Sequence, residues 1–351
     1  RIVGYCGGRS LGGRCFSEEW DLEAHRMQGP VKVASGEPAE ASTVRFDTGC
    51  QWFTAQDPTF VEELRGWCAQ GVAAPLRSPR VGRWTLEGRF EAIPQGDLPQ
   101  LFAGVGGMAR IADALLEAVG RDSMTFAVAR HFASNPLTGR YSCRIEIDAA
   151  CSHLSFIGGN LPQKSESMVL EEEFDYVVLA QGLAAKQPRM VEFESAPAQQ
   201  VVEFLRDNVR YQTLMLLTMV FRRPLPLHFE ICRPDPSTGI GLVVRASSKP
   251  GLEHRVFETW TVCASAALAR EFALPKAKND GLRALEGAFF RTFGVAAFKK
   301  HLVTSHGTPF GLLWPHGQPV RRLPEGRKAV FSPEARVGAC ADYCGGPPCV
   351  E

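Results

Sequence analysis

Four stretches of the chain hold residue types whose spacing could do chemistry. In Cys6-Gly-Gly-Arg-Ser-Leu-Gly-Gly-Arg14, Arg9 and Arg14 flank the pair Gly12 and Gly13. Paired glycines let a backbone approach a polyanion, and an adjacent guanidinium offers a planar charged fork, so the loop suits a pyrophosphate; a flexible turn is the plainer alternative. In Gly49-Cys-Gln-Trp-Phe-Thr54, the amide of Gln51 and the rings of Trp52 and Phe53 could wall an apolar cofactor or simply fill a core. Gly104-Val-Gly-Gly-Met108 puts glycines at the start of an amphipathic run, and such a helix N-terminus favours negative charge or close packing. Last, an apolar run over 336–341 ends at Asp342 before a Gly-Gly-Pro-Pro turn. It reads as a buried strand stopping at a loop that holds one acid. In open α/β sheets ligands bind beyond the carboxyl ends of strands, where an acid can accept from a ribose- or ribitol-like hydroxyl; a surface turn bonding its own backbone is the other reading.

Two further polar residues stand alone. His306 could be a general base, but a loop histidine with no carboxylate near it in sequence is as readily structural. Lys249, in Ser247-Ser-Lys-Pro-Gly251, could pair with an anionic substrate, though a turn lysine ahead of Pro-Gly is expected to face solvent. No Ser-His-Asp or paired-carboxylate constellation is evident.

The elements that must position these residues follow from periodicity. Thr43 to Asp47 reads as a short strand, with Asp57 capping a helix that carries Phe60, Leu64 and Trp67. Trp84 to Phe90 reads as a hairpin inside a Pro-rich insertion, and Ile111, Leu115, Leu116 and Val119 have helical spacing. Strands are predicted at 124–131 and 141–147, joined by an Asn-Pro turn, and a buried strand ends near Ala180. Beyond Gln199 a helix leads to apolar strands near 214–221, 239–246 and 256–265, then helices at 266–274 and 280–293, which suggests an antiparallel sheet packed on helices.

Composition narrows the classes. With 39 Lys and Arg against 38 Asp and Glu in 351 residues, charge gives no reason to expect nucleic acid as partner. The longest apolar run is far below the roughly 20 residues of a membrane span. Eleven dispersed cysteines without a Cys-x-x-Cys pair read as reduced core thiols rather than a metal site, which fits a reducing intracellular compartment. Oligomeric state is not legible.

Together the motifs resemble one family. Arg9-x-x-Gly12-Gly13-Arg14, Gly104-x-Gly-Gly107-Met108 and the strand into Asp342 with Val350-Glu351 are similar to stretches of the FAD-dependent amine-oxidase superfamily, and the Asp47-x-Gly49-x-Gln51-Trp52-Phe53-Thr54 run and Ser247 to Ser265 resemble its renalase-like branch. Departures are Ala341 for Gly, Gly106 for Pro, and an altered 303–314. The resemblance implies FAD held by Gly12, Gly13, Arg14, Gly49, Gln51, Trp52, Gly107, Met108, Val128 (backbone to adenine), Asp342, Val350 and Glu351. Chemistry is then centred on the flavin with no protein catalytic residue, and Trp52, Phe53 and His306 are pocket candidates. It further implies an α/β plus α+β architecture: a Rossmann-like FAD domain from 1–54, 101–198 and 303–351, interleaved with a mainly antiparallel substrate domain from 55–100 and 199–302. The implied activity is an oxidase taking hydride from a small reduced substrate, an isomeric reduced nicotinamide dinucleotide, and passing electrons to dioxygen to give hydrogen peroxide. Flavin amine oxidation is the runner-up. A third reading is a non-catalytic remnant that binds FAD poorly, since the chain reads as a fragment without the opening Gly-x-Gly-x-x-Gly unit and the last helix.

If Arg14 reaches the pyrophosphate, Arg14→Ala weakens FAD binding by about 10- to 150-fold, the range of one charge-assisted hydrogen bond, while Arg9→Ala weakens it less. Equal FAD retention by both variants after gel filtration would show that the phosphate sits elsewhere.

Overall fold

The computed structural model describes residues 2–5, 13, 15–22, 26–30, 43–120, 123–125, 128–147, 166–169, 173–180, 191–303, 310–324 and 329–344. The chain divides into two compact units, one of Ser10–Val119 with Thr213–Trp314, the other of Arg1–Arg9, Gly120–Gln212 and Pro315–Glu351. Residues 43–54 and 101–119 group with the antiparallel sheet. The reason is a shared core. Trp20, Leu22, Val44 and Phe46 pack with Val220, Ala246 and Val303.

The larger unit is built on an eight-stranded sheet. Its order is Phe90–Ala92, Val81–Trp84, Ile231–Pro234, Ile240–Arg245, Glu258–Ala264, Arg210–Phe221 and Leu302–Val303, with Phe310–Arg321 also pairing with Arg210–Phe221. The hairpin expected near Trp84 is thus an extension of the sheet, joined through a parallel pairing of Val81–Trp84 with Ile231–Pro234. The period of two along Arg210–Phe221 sends Met215, Leu217, Met219 and Phe221 into one core and Val220 into the core around Trp20 and Phe46. The first core is closed by helix Lys278–Phe293, whose Leu282, Leu285, Phe289, Phe290 and Phe293 meet the sheet along one face. A separate three-stranded antiparallel sheet places Ser17–Asp21 between Arg26–Pro30 and Thr43–Asp47. Helix Pro58–Ala69 starts as expected, with the Asp57 carboxylate accepting from the Thr59 and Phe60 amides at 3.0 and 3.3 Å.

The smaller unit has a four-stranded sheet ordered Glu166–Val169, Tyr141–Ile147, Val128–Ser134 and Glu192–Phe193. A second sheet pairs Val177–Leu179 parallel to Val337–Ala339, with Val330–Ser332 antiparallel at its edge. Helix Ala196–Asn208 closes their common core through Ala198, Val201, Val202 and Leu205. The Tyr141 hydroxyl ties the two sheets by donating to the Ala335 carbonyl at 2.6 Å.

Burial pushes the thiol of Cys143 up to about 11 and those of Cys232 and Cys263 up to about 12, which leaves them protonated and unreactive near neutral pH. Among the described residues no helix is long and apolar enough to cross a membrane.

Gly281 marks how closely helix Lys278–Phe293 is packed: a Cβ there would lie 2.6 Å from Phe272 Cβ and 2.9 Å from Met215 Sδ. Gly281→Ala is therefore expected to lower stability by about 1–3 kcal/mol in spite of its better helix propensity. Urea unfolding measures this, and an unchanged or raised midpoint would contradict the packing.

Candidate functional site

Two of the stretches singled out above, and a third thought to be a surface turn, meet around one buried carboxylate in the larger unit. Asp47 ends strand Thr43–Asp47 and pairs in register with Ser17, so both side chains leave the sheet on the same side. The Ser17 hydroxyl donates to Asp47 Oδ1 at 2.6 Å, and the Met108 amide donates to the same oxygen at 2.7 Å. The Ala109 amide donates to Ser17 Oγ at 3.0 Å. The start of helix Ala109–Val119 thus attracts negative charge as expected, but the charge is the protein's own. Gly107 permits this contact. Its φ is +124°, and a Cβ would come within 2.5 Å of Ser17 Oγ.

The other carboxylate oxygen holds a lysine. Lys249 Nζ donates to Asp47 Oδ2 at 2.9 Å and to Gln51 Oε1 at 2.7 Å, and the Gln51 amide nitrogen donates to the carbonyls of Asp47 and Gly49 at 2.9 and 3.0 Å. Lys249 is 1% exposed and Asp47 is fully buried. The expectation of a solvent-facing turn lysine is therefore wrong. The turn is pulled inward by backbone contacts: the Gly106 amide donates to the Pro250 carbonyl at 2.9 Å, an approach that leaves no room for a Cβ at Gly251.

The positions of the other predicted residues vary. Trp52 is buried and lines a cavity of about 20 Å³ with Leu76, Arg77, Glu230, Ser248 and Lys249 among its walls. Phe53 forms a backbone bridge with Phe102 and stacks on its ring at a centroid distance of 5.9 Å. Gly49 accepts from Gln51, and Met108 is buried. In the smaller unit Val128 lies on a strand paired with Glu146, and Asp342 is exposed just past strand Val337–Ala339. That strand lies parallel to Val177–Leu179, and the Cys340 amide reaches the Leu179 carbonyl at 3.1 Å, so the acid sits beyond the carboxyl ends of two parallel strands. The Tyr211 hydroxyl donates to Asp342 Oδ1 at 2.8 Å and orients it. Gly13 is described, whereas Gly12, Arg14, His306, Val350 and Glu351 lie outside the described residues. Ser17 and Asp47 were not among the predicted site residues. Asp47 was legible as the first letter of the Asp-x-Gly-x-Gln run, but Ser17 carries no local signal, because its role comes from strand register.

No family model and no curated protein matches the sequence. The fold has matches among solved structures. Putrescine oxidase, as the putrescine-bound wild type, aligns with a TM-score of 0.54 at 10% identity over 97% of this chain and 88% of its own. A triple mutant from a redesign of its cofactor binding also gives 0.54 at 10%, over 97% and 87%. An oxidoreductase from Methanosarcina mazei is 12% identical over 72% of this chain, with a TM-score of 0.47. The chain spans 53% of that protein and 50% of a candidate protoporphyrinogen oxidase from Exiguobacterium sp. 255-15. The likeness to putrescine oxidase is one of fold, an arrangement of mixed sheets and helices.

Breaking the Asp47–Lys249 pair on one side leaves a buried charge alone, so Lys249→Met is expected to cost about 3–5 kcal/mol of stability. Asp47→Asn combined with Lys249→Met removes both charges and should be less destabilised than Lys249→Met. Chemical denaturation of the three proteins tests this; equal stability of the two variants would mean the pair is not coupled.

Proposed function

We propose that the chain is an FAD-dependent oxidoreductase of the renalase-like kind. It would take a hydride from a small reduced substrate, an isomeric reduced nicotinamide dinucleotide, and pass the electrons to dioxygen, releasing hydrogen peroxide. The single observation that carries the reading is the junction at Asp47. It fastens the loop bearing Gln51 and Trp52, the glycine-opened helix at Gly107 and Met108, and the Ser247-to-Gly251 turn, three stretches that resemble one flavoprotein family, in a chain whose fold is shared with putrescine oxidase.

Each unit, taken by itself, holds residues with chemistry that a flavin dinucleotide would use. Asp342 offers an exposed, oriented carboxylate where a dinucleotide's sugar hydroxyl would need an acceptor. Trp52 offers a buried aromatic wall, and Val128 a strand backbone for adenine. The amides of Gly106, Gly107 and Met108 are already bonded to Pro250, Gly104 and Asp47, so Gly107 and Met108 would serve by close packing and not as donors. The pyrophosphate contact is assigned to Gly12, Gly13 and Arg14, and the remaining contacts to Gly49, Gln51, Val350 and Glu351.

When bound, FAD would supply the hydride acceptor and the route to dioxygen. The protein's part is to orient and to exclude water. The Lys249 ammonium fixes the Gln51 carboxamide, Trp52 closes the adjoining cavity with Leu76 and Val244, and Asp342 holds a hydroxyl. Amine oxidation is the second reading, favoured by the fold shared with putrescine oxidase.

The test is FAD stoichiometry after gel filtration, read from the yellow absorbance of bound flavin. Asp342→Ala is expected to weaken FAD affinity by about 10- to 150-fold with little change in melting temperature, since the group lost is an exposed charged acceptor. A protein that stays colourless with added FAD would sink the enzyme reading and leave a non-catalytic remnant of the fold.

A further inference from the structure

The cavity beside Trp52 has an electrostatic sign that the motifs did not reveal. Three charged residues line it: Lys249, Glu230 and Arg77. Lys249 is neutralised by Asp47. Glu230 accepts from the Arg80 amide at 2.8 Å and lies 3.5 Å from Arg245 Nη1. Arg77 is exposed and has no ion-pair partner among the described residues.

Arg77 is also held in place. The next residue, Ser78, has φ of +43°, a left-handed conformation unfavourable for a non-glycine residue, and it precedes Pro79, a cavity wall. Such a turn persists only when its ends are clamped. On one side the Leu76 amide donates to the Leu101 carbonyl at 2.8 Å; on the other, Arg80 gives its amide to Glu230 and takes the Glu230 amide on its carbonyl at 3.1 Å. The clamp at Arg80 uses the carboxylate of Glu230, the acid that lines the cavity with Arg77. The structure therefore strains a turn to present one unpaired guanidinium beside the cavity, while the carboxylate there is engaged elsewhere.

We propose that Arg77 is a specificity-determining residue that seats an anionic group, a phosphate or a carboxylate, of the molecule entering beside Trp52 and disfavours ammonium-bearing ligands. The inference deepens the oxidoreductase reading and rests on it for calling the cavity a substrate site. A planar guanidinium matches both anions by paired hydrogen bonds and repels an ammonium.

The test is calorimetric titration of the full chain with saturating FAD, using inorganic phosphate in one arm, acetate in a second and putrescine in a third. Arg77→Gln is expected to bind one of the two anions about tenfold or more weakly than the native protein, and the anion affected tells phosphate from carboxylate. Putrescine is expected to bind no better to the native protein than to Arg77→Gln. Arg80→Gln is the control, since it removes a nearby exposed guanidinium, stacked 5.7 Å from the Phe90 ring, and leaves the backbone clamp intact. The proposal is overturned if Arg77→Gln binds both anions as tightly as the native protein, if Arg80→Gln loses as much, or if putrescine binds the native protein more tightly than Arg77→Gln. Flavin content is read separately: a colourless protein with Arg77-dependent anion binding would remove the flavin reading and keep the anion seat.

Discussion

The buried ion pair between Asp47 and Lys249 is the constraint on which the larger unit's site depends. Two charges taken out of water carry a desolvation penalty of several kcal/mol each, and their attraction offsets it only if the remaining lone pairs and protons are also satisfied. Here they are largely matched: one Asp47 oxygen takes the Ser17 hydroxyl and the Met108 amide, and Gln51 takes a second proton of the ammonium. Each partner comes from a different part of the chain. What the pair contributes is therefore less net energy than a single arrangement of three loops from distant parts of the chain.

A second charged group lies near it. Arg245 sits 5.0 Å above the Trp260 ring and between Glu230 and Glu258, while Glu258 accepts from the Leu225 amide and the Trp260 indole at 2.7 and 2.8 Å. This network fixes Glu230 on the sheet, and Glu230 in turn fixes the strained turn at Ser78 through the Arg80 amide. An arginine on a central strand is thus linked through Glu230 to the backbone of the turn that carries Arg77.

Much of the fold was legible because its elements are strongly periodic. Helices Pro58–Ala69, Ala109–Val119, Ala196–Asn208 and Lys278–Phe293 and the strands at 210–221, 240–245 and 258–264 announce themselves by spacing, caps and flanking turns. The grouping of segments was not legible, because it depends on Val220 and Ala246 facing Trp20 and Phe46, contacts that no local pattern contains. The site divides in the same way. Gln51, Trp52, Gly107 and Asp342 were visible as letters, whereas the burial of Lys249 was misread: a lysine before Pro-Gly looks like a surface turn unless one knows that an acid about two hundred residues earlier is waiting for it.

That separation has a consequence for how the chain becomes a protein. Asp47 and Lys249 are 202 residues apart, and the core of Trp20, Val44 and Phe46 is completed by Val220, Ala246 and Val303. At a synthesis rate of about 5–20 residues per second, the early segment waits roughly 10–40 s for the lysine that neutralises its acid. Throughout that interval a three-stranded sheet with two large aromatics lacks its cover, while residues 120–212, which belong to the other unit, emerge in between. The long loop closure makes this unit slow to nucleate. Its vulnerability on the ribosome lies in that uncovered sheet, which a chaperone that shields apolar strands would protect.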